Sequence, residues 1–563
     1  MKDSTNRFDV IVIGSGISGG WAAKEFCEKG LKTLLLERGK DVKHIKDYPT
    51  AYKDPWEFDH RNRVSLATKA ENPIASKCYA YQEDAMHFFT SDKEQEYIQE
   101  KPFDWIRGYQ VGGKSLTWAR QVQRWSDHDF EGPARDGFAI DWPIRYADIA
   151  PWYSYVERFI GVSGNKDGHP AMPDGEFLPA FELNAVERMI QDKLPKKYVD
   201  RRVIAGRCAH ITDPQEVHVQ QGRTKCQNRT LCQRGCPFGG YFSSNASTLP
   251  WAEKTGNLTL KPNTLVESII YDPDTQKAKG VQVINTVDNS TTEYFAKIIF
   301  VNASALASNL ILLNSTTDRF PNGLGNDSGV LGKYVAFHNY RGTLGGNLEG
   351  FEDFYYYGRR PTQPLIPNFR NVKKQETDFL RGYASFFSAY RSRGIWSEEQ
   401  VGSKFKDSLT EVGGWEVSMM MQGETIPKEN NYVRLSTEMK DKYGLPQLIT
   451  SVGYDENDDK STQDFLEQGA EMLEYIGVKN IYTHNSQQNP GLDIHEMGGA
   501  RMGHDPKTSI LNKWNQIHAC KNVFVTDGAC MTSTGTQNPS LTYMALTARA
   551  ANYAMEELKK GNL

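Results

Sequence analysis

The chain has 563 residues, 39% hydrophobic and 24% charged, with a formal net charge of −4. That length gives room for roughly two or three domains with ordinary cores. The near balance of charge leaves no electrostatic footprint for nucleic acid, and no dense Lys/Arg run suggests an anionic membrane.

Eight cysteines, five of them scattered singly, are too few for a disulfide scaffold. The first residues, MKDSTNRFDV, hold no apolar stretch and no small-residue cleavage site, so no signal peptide is expected. No uncharged apolar run reaches the ~18–20 residues of a membrane helix, so no direct membrane insertion is expected.

The first predicted elements lie in FDVIVIGSGISGGWAAKEFCEKGLKTLLLERG. The apolar run Val10–Ile13 reads as a strand buried on both faces, as in a parallel sheet. Gly14, Gly16 and Gly19 follow as GxGxxG: a tight turn, a close backbone approach for a pyrophosphate, and close helix–strand packing. A helix over 18–29 would aim free N–H groups and a partial positive charge at that phosphate. A second strand, Thr33–Leu36, ends at Glu37, an acid placed to accept hydrogen bonds from a ribose. FAD and NAD share this fingerprint, so by itself it predicts a dinucleotide without choosing one.

After Gly39 the alternation stops, and residues 40–105 read as an excursion over the surface. GYQVGGKSLTWARQVQRW, 108–125, is a glycine-rich loop followed by alternating residues. Next comes an amphipathic helix with Ile149, Tyr153, Val156 and Ile160 on one face. A cysteine-rich loop, 222–242, holds Cys226, Cys232 and Cys236. Strands are expected within 258–301. From about 335 to 480 the sequence turns aromatic and alternating (DFYYYGRR, GYASFFSAYRSR), which predicts an antiparallel sheet. The chain ends in a buried strand, a glycine-containing loop and an Ala-rich helix that resemble more of the first domain. The expected fold is therefore α/β, with a discontinuous Rossmann-like domain formed by 1–334 and 485–563 and an antiparallel-sheet substrate-binding domain at 335–484.

Four stretches in order, GSGISGG, VGGKSLTW, HEMGGARMG and VTDGACMTSTGTQNPSLTYMALTARAA, together resemble the glucose–methanol–choline (GMC) family of FAD-dependent alcohol and sugar oxidoreductases. Within it the chain looks most like large subunits of bacterial sugar dehydrogenases acting on gluconate, glucosides or polyols, and more distantly like pyranose oxidase. FYYYGRRPTQPLIPNFRN is similar to the large subunits of glucoside 3-dehydrogenases. The resemblance implies that His495 is the catalytic histidine and that Asn538 stands where family members carry a second His or an Asn. It implies that Asp527 hydrogen-bonds FAD and that Gly112, Gly113 and Ser115 line the isoalloxazine. Where pyranose oxidase attaches its flavin to a histidine this chain has Thr117, so non-covalent FAD is expected.

The assignment also makes chemical sense: a neutral imidazole suits removal of a hydroxyl proton, and an amide can hold the substrate oxygen without adding a second titrating group. Blander readings stand beside it. His495 could be a hydrogen-bonded core residue, and Asn538 could cap the helix that follows Pro539. The other histidines (His128, His210, His218, His338, His504 and His518) read as structural. The aromatic and arginine residues of 354–360 read as sheet packing more readily than as sugar contacts.

Cys226, Cys232 and Cys236 have spacings of six and four, with Pro237 after the last. Zinc would want a fourth ligand, which His210 or His218 could supply, and paired CxxC spacing, which is missing. A disulfide with a spare thiol is a second reading. The resemblance implies a third, a [3Fe–4S] cluster on three thiolates, although related proteins keep a GCPFGG turn without one.

The expected function is oxidation of a secondary hydroxyl of a sugar or glycoside, at C3 under the nearest resemblance, with electrons passed to a cytochrome or quinone-linked acceptor. A soluble oxidase using O2 and a non-catalytic flavin-bearing subunit are the rivals. The resemblance further implies a small partner subunit carrying a twin-arginine signal and export to the periplasm; a cytoplasmic location is the alternative.

Overall fold

A computed structural model describes residues 6–94, 96–354, 360–393 and 401–563. Strand β1 (Val10–Ile13), helix α1 (Ile17–Glu28) and strand β2 (Thr33–Leu36) form the expected unit, with both strands buried along their whole length. β1 pairs in parallel with β2 on one side and with strand Ile298–Val301 on the other. Strand Leu258–Lys261 extends the sheet beyond β2, and strand Cys520–Val525 extends it beyond Ile298–Val301, both in parallel. The C-terminal strand therefore completes a sheet begun some 500 residues earlier, as the discontinuous domain requires. Helices cover the faces of such a sheet, which is why its strands read as continuous apolar runs.

The turn after β1 explains its glycines. Gly14 sits at φ +91°, and a Cβ there would meet the Asn302 carbonyl oxygen at 2.3 Å. A Cβ on Gly19 would come within 1.7 Å of the Gly14 carbonyl oxygen. Strand and helix can approach this closely only without side chains.

A second sheet runs in the order Leu365–Ile366, Tyr383–Arg393, Val412–Glu424, Gly342–Leu348, Lys479–Asn485, all antiparallel. Along its central strand Trp415, Val417, Met419 and Met421 are buried. They share a core with Phe465, Met472 and Leu473 of the backing helix Glu456–Ile476. The alternate positions point the other way, and Met420 with Phe386 reaches the main cavity. Period-two alternation thus gives this sheet one face for a core and one for a ligand.

Two expectations need adjusting. Residues 40–105 do not simply cross the surface: Ala51, Phe88, Phe103 and Trp105 are buried. Tyr97–Gln99 within it is a strand pairing in parallel with Pro446–Ser451. An irregular segment buries side chains one at a time, so no period announces it. The boundaries near 335 and 485 are also crossed by a sheet, because Met497–Gly499 and Lys333–Ala336 pair with each other and Lys333 pairs with Tyr432. The motif DFYYYGRR falls mostly at 355–359, outside the described residues; beyond it, Arg360 forms an ion pair with Glu187 at 2.5 Å. Among the described residues no helix is long and apolar enough to cross a membrane.

Candidate active site

A cavity of about 780 Å³ runs from the β1–α1 turn to the ligand-facing side of the antiparallel sheet. Gly14, Gly16, Glu37, Gly113, Ser115, Thr117, His495, Asp527 and Asn538 all border it. The fold thus gathers residues spread over the whole chain. Gly19 and Gly112 lie behind the wall: Gly19 packs on Gly14, and Gly112 donates its N–H to Ser15 Oγ at 2.9 Å.

The dinucleotide end fits FAD on its own geometry. A Cβ placed on Gly16 would meet no atom within 4 Å, so the space over the turn is open. α1 has no side-chain cap at Gly16, which leaves its first N–H groups for an anion. Glu37 Oε2 accepts from Ser15 Oγ at 2.6 Å and Oε1 accepts from the Gly39 N–H at 3.0 Å. Oε2 also accepts the Ser15 N–H at 3.2 Å, so Oε1 is the oxygen with lone-pair capacity left for a ribose hydroxyl, while burial raises the Glu37 pKa. Buried polar atoms on the cavity wall (Asn302 Nδ2, Glu496 Oε1, Tyr543 Oη) have no partner among the described residues, as a polar ligand would require. Asp527 Oδ2 accepts from Ser308 Oγ at 2.5 Å, and burial pushes its pKa up to about 6.

At the other end stand two histidines and an amide. His495 Nε2 lies 3.4 Å from Asn538 Nδ2. The helix Ser540–Lys559 has Pro539 at its N-cap with no side-chain cap bond, so Asn538 faces His495 rather than capping that helix. Behind His495, His338 Nδ1 approaches His495 Nδ1 to 2.8 Å. Asp493 Oδ2 accepts from the backbone N–H of both, at 3.0 Å from His338 and 3.2 Å from His495. Ile494, between Asp493 and His495, is held at φ +59°, a conformation β-branched residues avoid. Burial, with His338 and Lys114 adding to it, holds the His495 imidazole well below its usual pKa and so neutral. Neutral imidazole is the form that accepts a proton.

His338 is the residue that sequence reasoning read as merely structural. It sits 157 residues from His495, and no local spacing links them. Asp493, only two residues before His495, was within reach of a local reading.

All three loop cysteines are free, which removes the disulfide reading. His218 accepts from the Gln215 N–H at 3.0 Å and has its other nitrogen 3.0 Å from the Arg158 carbonyl, so it does not turn toward the thiols. His210 Nε2 is 3.8 Å from Cys232 Sγ. Among the described residues no three His, Cys, Asp or Glu side chains are grouped to hold a metal ion, so the zinc reading is not assembled. Nor are Cys226, Cys232 and Cys236 drawn together as ligands of one ion. Burial raises the Cys226 pKa to about 11 and also raises that of Cys232, which keeps these two thiols protonated. Cys232 borders the main cavity, while Cys226 faces a second groove.

Two family models of the GMC oxidoreductases match the chain, one over 8–348 and the other over 427–547. The chain belongs to the GMC oxidoreductase family. GMC enzymes bind FAD and act on CH–OH groups, and that is this chain's cofactor class and reaction class. The chain is similar to the fructose dehydrogenase large subunit of Gluconobacter japonicus, 24% identical with all of both chains covered. It is also similar to 2-methyl-1,2-propanediol dehydrogenase of Mycolicibacterium austroafricanum, 27% identical over 98% of this chain and 96% of that one. Formate oxidase of Aspergillus oryzae shares the GMC fold at a TM-score of 0.63 and 12% identity, covering 99% of this chain and 100% of that one.

Proposed function

We propose that this GMC enzyme is a dehydrogenase that oxidises a secondary hydroxyl of a sugar or glycoside, at C3, to the keto sugar. The observation that carries the reading is the His495–Asn538 pair, 3.4 Å apart, on the cavity that also reaches the open N-terminus of α1. FAD, held by Gly14, Gly16, Glu37, Gly113, Ser115 and Asp527, would supply the acceptor for the hydride leaving the carbon. His495 takes the hydroxyl proton, and the Asn538 amide holds the oxygen that becomes the carbonyl. Phe386 and Met420 supply the apolar wall against which a sugar ring lies.

Electrons then leave toward a cytochrome. Thr230, Cys232 and Gln233 border the same cavity. Of the three loop cysteines only Cys232 reaches that wall, and the three are not grouped as ligands of one ion. The name of one relative, a large subunit, supports a small partner subunit for this chain. We place the working complex in the periplasm, exported folded on that partner's signal.

The decisive experiment is anaerobic bleaching of the enzyme-bound flavin by a panel of sugars and methyl glycosides, with keto products mapped by NMR. Reoxidation is then timed with air and with a dye acceptor. Bleaching by glycosides, a 3-keto product and preference for the dye are expected. Rapid reoxidation by air would favour an oxidase, and no bleaching by any sugar would reject the substrate class. Co-expression with neighbouring small genes, followed by cell fractionation, tests the partner and location; full activity of the solitary chain in the cytoplasm would reject both.

A further inference from the structure

His338 Nε2 lies 3.1 Å from the carbonyl oxygens of both Thr534 and Gly535. A carbonyl oxygen only accepts, so this nitrogen carries a hydrogen. Burial pushes the His338 pKa down to about 4, so the ring is neutral and its Nδ1 has a lone pair and no hydrogen. That Nδ1 is 2.8 Å from Nδ1 of His495. A hydrogen bond needs one donor, and only His495 can provide it. His495 therefore carries its hydrogen on Nδ1, and its Nε2 is bare. The amide on the far side agrees, because Asn538 Nδ2, a donor, faces that same Nε2 at 3.4 Å.

We propose that His338 is a positioning residue that fixes His495 in the Nδ1–H tautomer, leaving Nε2 free to take the substrate's hydroxyl proton. This rests on the reading of His495 as the base. In the other tautomer an N–H would stand where the hydroxyl hydrogen arrives, and transfer would stall. The device is anchored at three points. The carbonyls of Thr534 and Gly535 orient the His338 ring. Asp493 Oδ2 clamps the backbones of His338 and His495 together. The strand His338–Asn339 is itself paired to Glu424 and Gly423. Once His495 takes the proton, the acceptor at His338 Nδ1 faces an imidazolium donor, and such a charge-assisted bond strengthens. The charged or titratable groups around His495 are His338, Asp493, Tyr340, and Lys114 with its partner Glu496 at 3.1 Å. None of them besides His338 meets His495 Nδ1 in a hydrogen bond.

Two substitutions separate a tautomer lock from a structural prop. The amide of His338→Asn reaches about as far as Nδ1, so it can still offer an acceptor to His495 while losing the carbonyl contacts. The amide of His338→Gln reaches about as far as Nε2, so it keeps the carbonyl contacts and loses the acceptor. The first readout needs no substrate: long-range ¹H–¹⁵N correlation spectra of histidine-labelled, FAD-loaded enzyme, with His495 assigned by its absence in His495→Gln. The Nδ1–H tautomer is expected in the wild type and in His338→Asn, and a mixed or reversed tautomer in His338→Gln. An Nε2–H signal in the wild type, or an unchanged tautomer in His338→Gln, overturns the proposal. If a variant does not fold, the wild-type spectrum still decides. The second readout is stopped-flow flavin reduction by whichever methyl glycoside or free sugar bleaches the flavin. His338→Gln should lower kcat at least about tenfold with KM unmoved, and by no more than the ~10²–10⁴ that a general base supplies. His338→Asn should retain most of the rate. The reverse ranking would make the carbonyl contacts the important ones and sink the lock. A fast His495→Gln enzyme would instead remove the base assignment, a separate failure.

Discussion

Ser15 Oγ donates to Glu37 Oε2 at 2.6 Å and also accepts the Gly112 N–H at 2.9 Å. One hydroxyl thus ties the glycine turn to the end of β2 and to the loop that opens the flavin end of the cavity. Glu37→Ala would leave the N–H groups of Ser15 and Gly39 without their acceptor, at ~1–3 kcal/mol for each buried group. FAD affinity should fall at least about tenfold, by the ~1.4 kcal/mol per decade conversion, as measured by flavin fluorescence on titrating apoprotein. Glu37→Gln, which keeps one acceptor, should lose less. Wild-type affinity in the alanine variant would remove Glu37 from the cofactor site.

Thr117 borders the cavity at the position where the sequence resemblance implied an attachment residue, and threonine offers no imidazole nitrogen to the flavin. Acid precipitation should therefore release all the FAD into the supernatant. Yellow colour pelleting with the protein would contradict this.

His495→Ala should lower flavin reduction by ~10²–10⁴ while FAD stays bound. The pH profile adds a sign. The imidazole is active when neutral, and burial holds its pKa well below 6.5. Reduction should stay level as pH falls through 6.5 and decline only in more acid solution. A midpoint at or above 6.5, or a rate that climbs toward acid, would count against a buried neutral base.

Asp493 carries a testable linkage. Burial raises its pKa from 3.8 to about 7 in the fold, so the folded state holds the proton where the unfolded chain has lost it. Its contribution to stability is thus full below about pH 4 and lost as pH rises through about 7. Asp493→Asn cannot ionise. The melting temperature of the wild type relative to this variant should fall between pH 4 and 7. A constant difference across that window would mean the carboxyl ionises in the fold near its ordinary pKa.

Because the three loop thiols are not grouped as ligands of one ion, protein expressed with iron and handled without oxygen should contain FAD and show no paramagnetic signal from a three-iron cluster. Cys232→Ser should keep the FAD and match the wild type in iron content. Stoichiometric iron in the wild type that is lost in Cys232→Ser would instead make the three thiols ligands.

The GSGISGG turn was legible because its physics is local. Gly14 at φ +91° and Gly19 against the Gly14 carbonyl are demands that a few consecutive residues make of one another. The same holds for the apolar runs of β1 and β2, since a strand covered on both faces shows no alternation. The alternating stretches within 335–480 predicted an antiparallel sheet, though not which side chains would meet the cavity.

His495 and Asn538 were legible by resemblance, carried by HEMGGARMG and NPSLT. Their 3.4 Å contact was not, nor was the His338–His495 bond. Those distances depend on how strand His338–Asn339 pairs with Val412–Glu424 and on where the 534–538 turn crosses the cavity. Local sequence sets backbone propensity and burial pattern over a few residues, and that determined the dinucleotide turn and the sheet types, while the candidate base came from the resemblance. Which tautomer that base adopts, and which buried partners hold it, was decided only in the tertiary structure, because a hydrogen bond depends on donor and acceptor positions that packing alone brings within 3 Å.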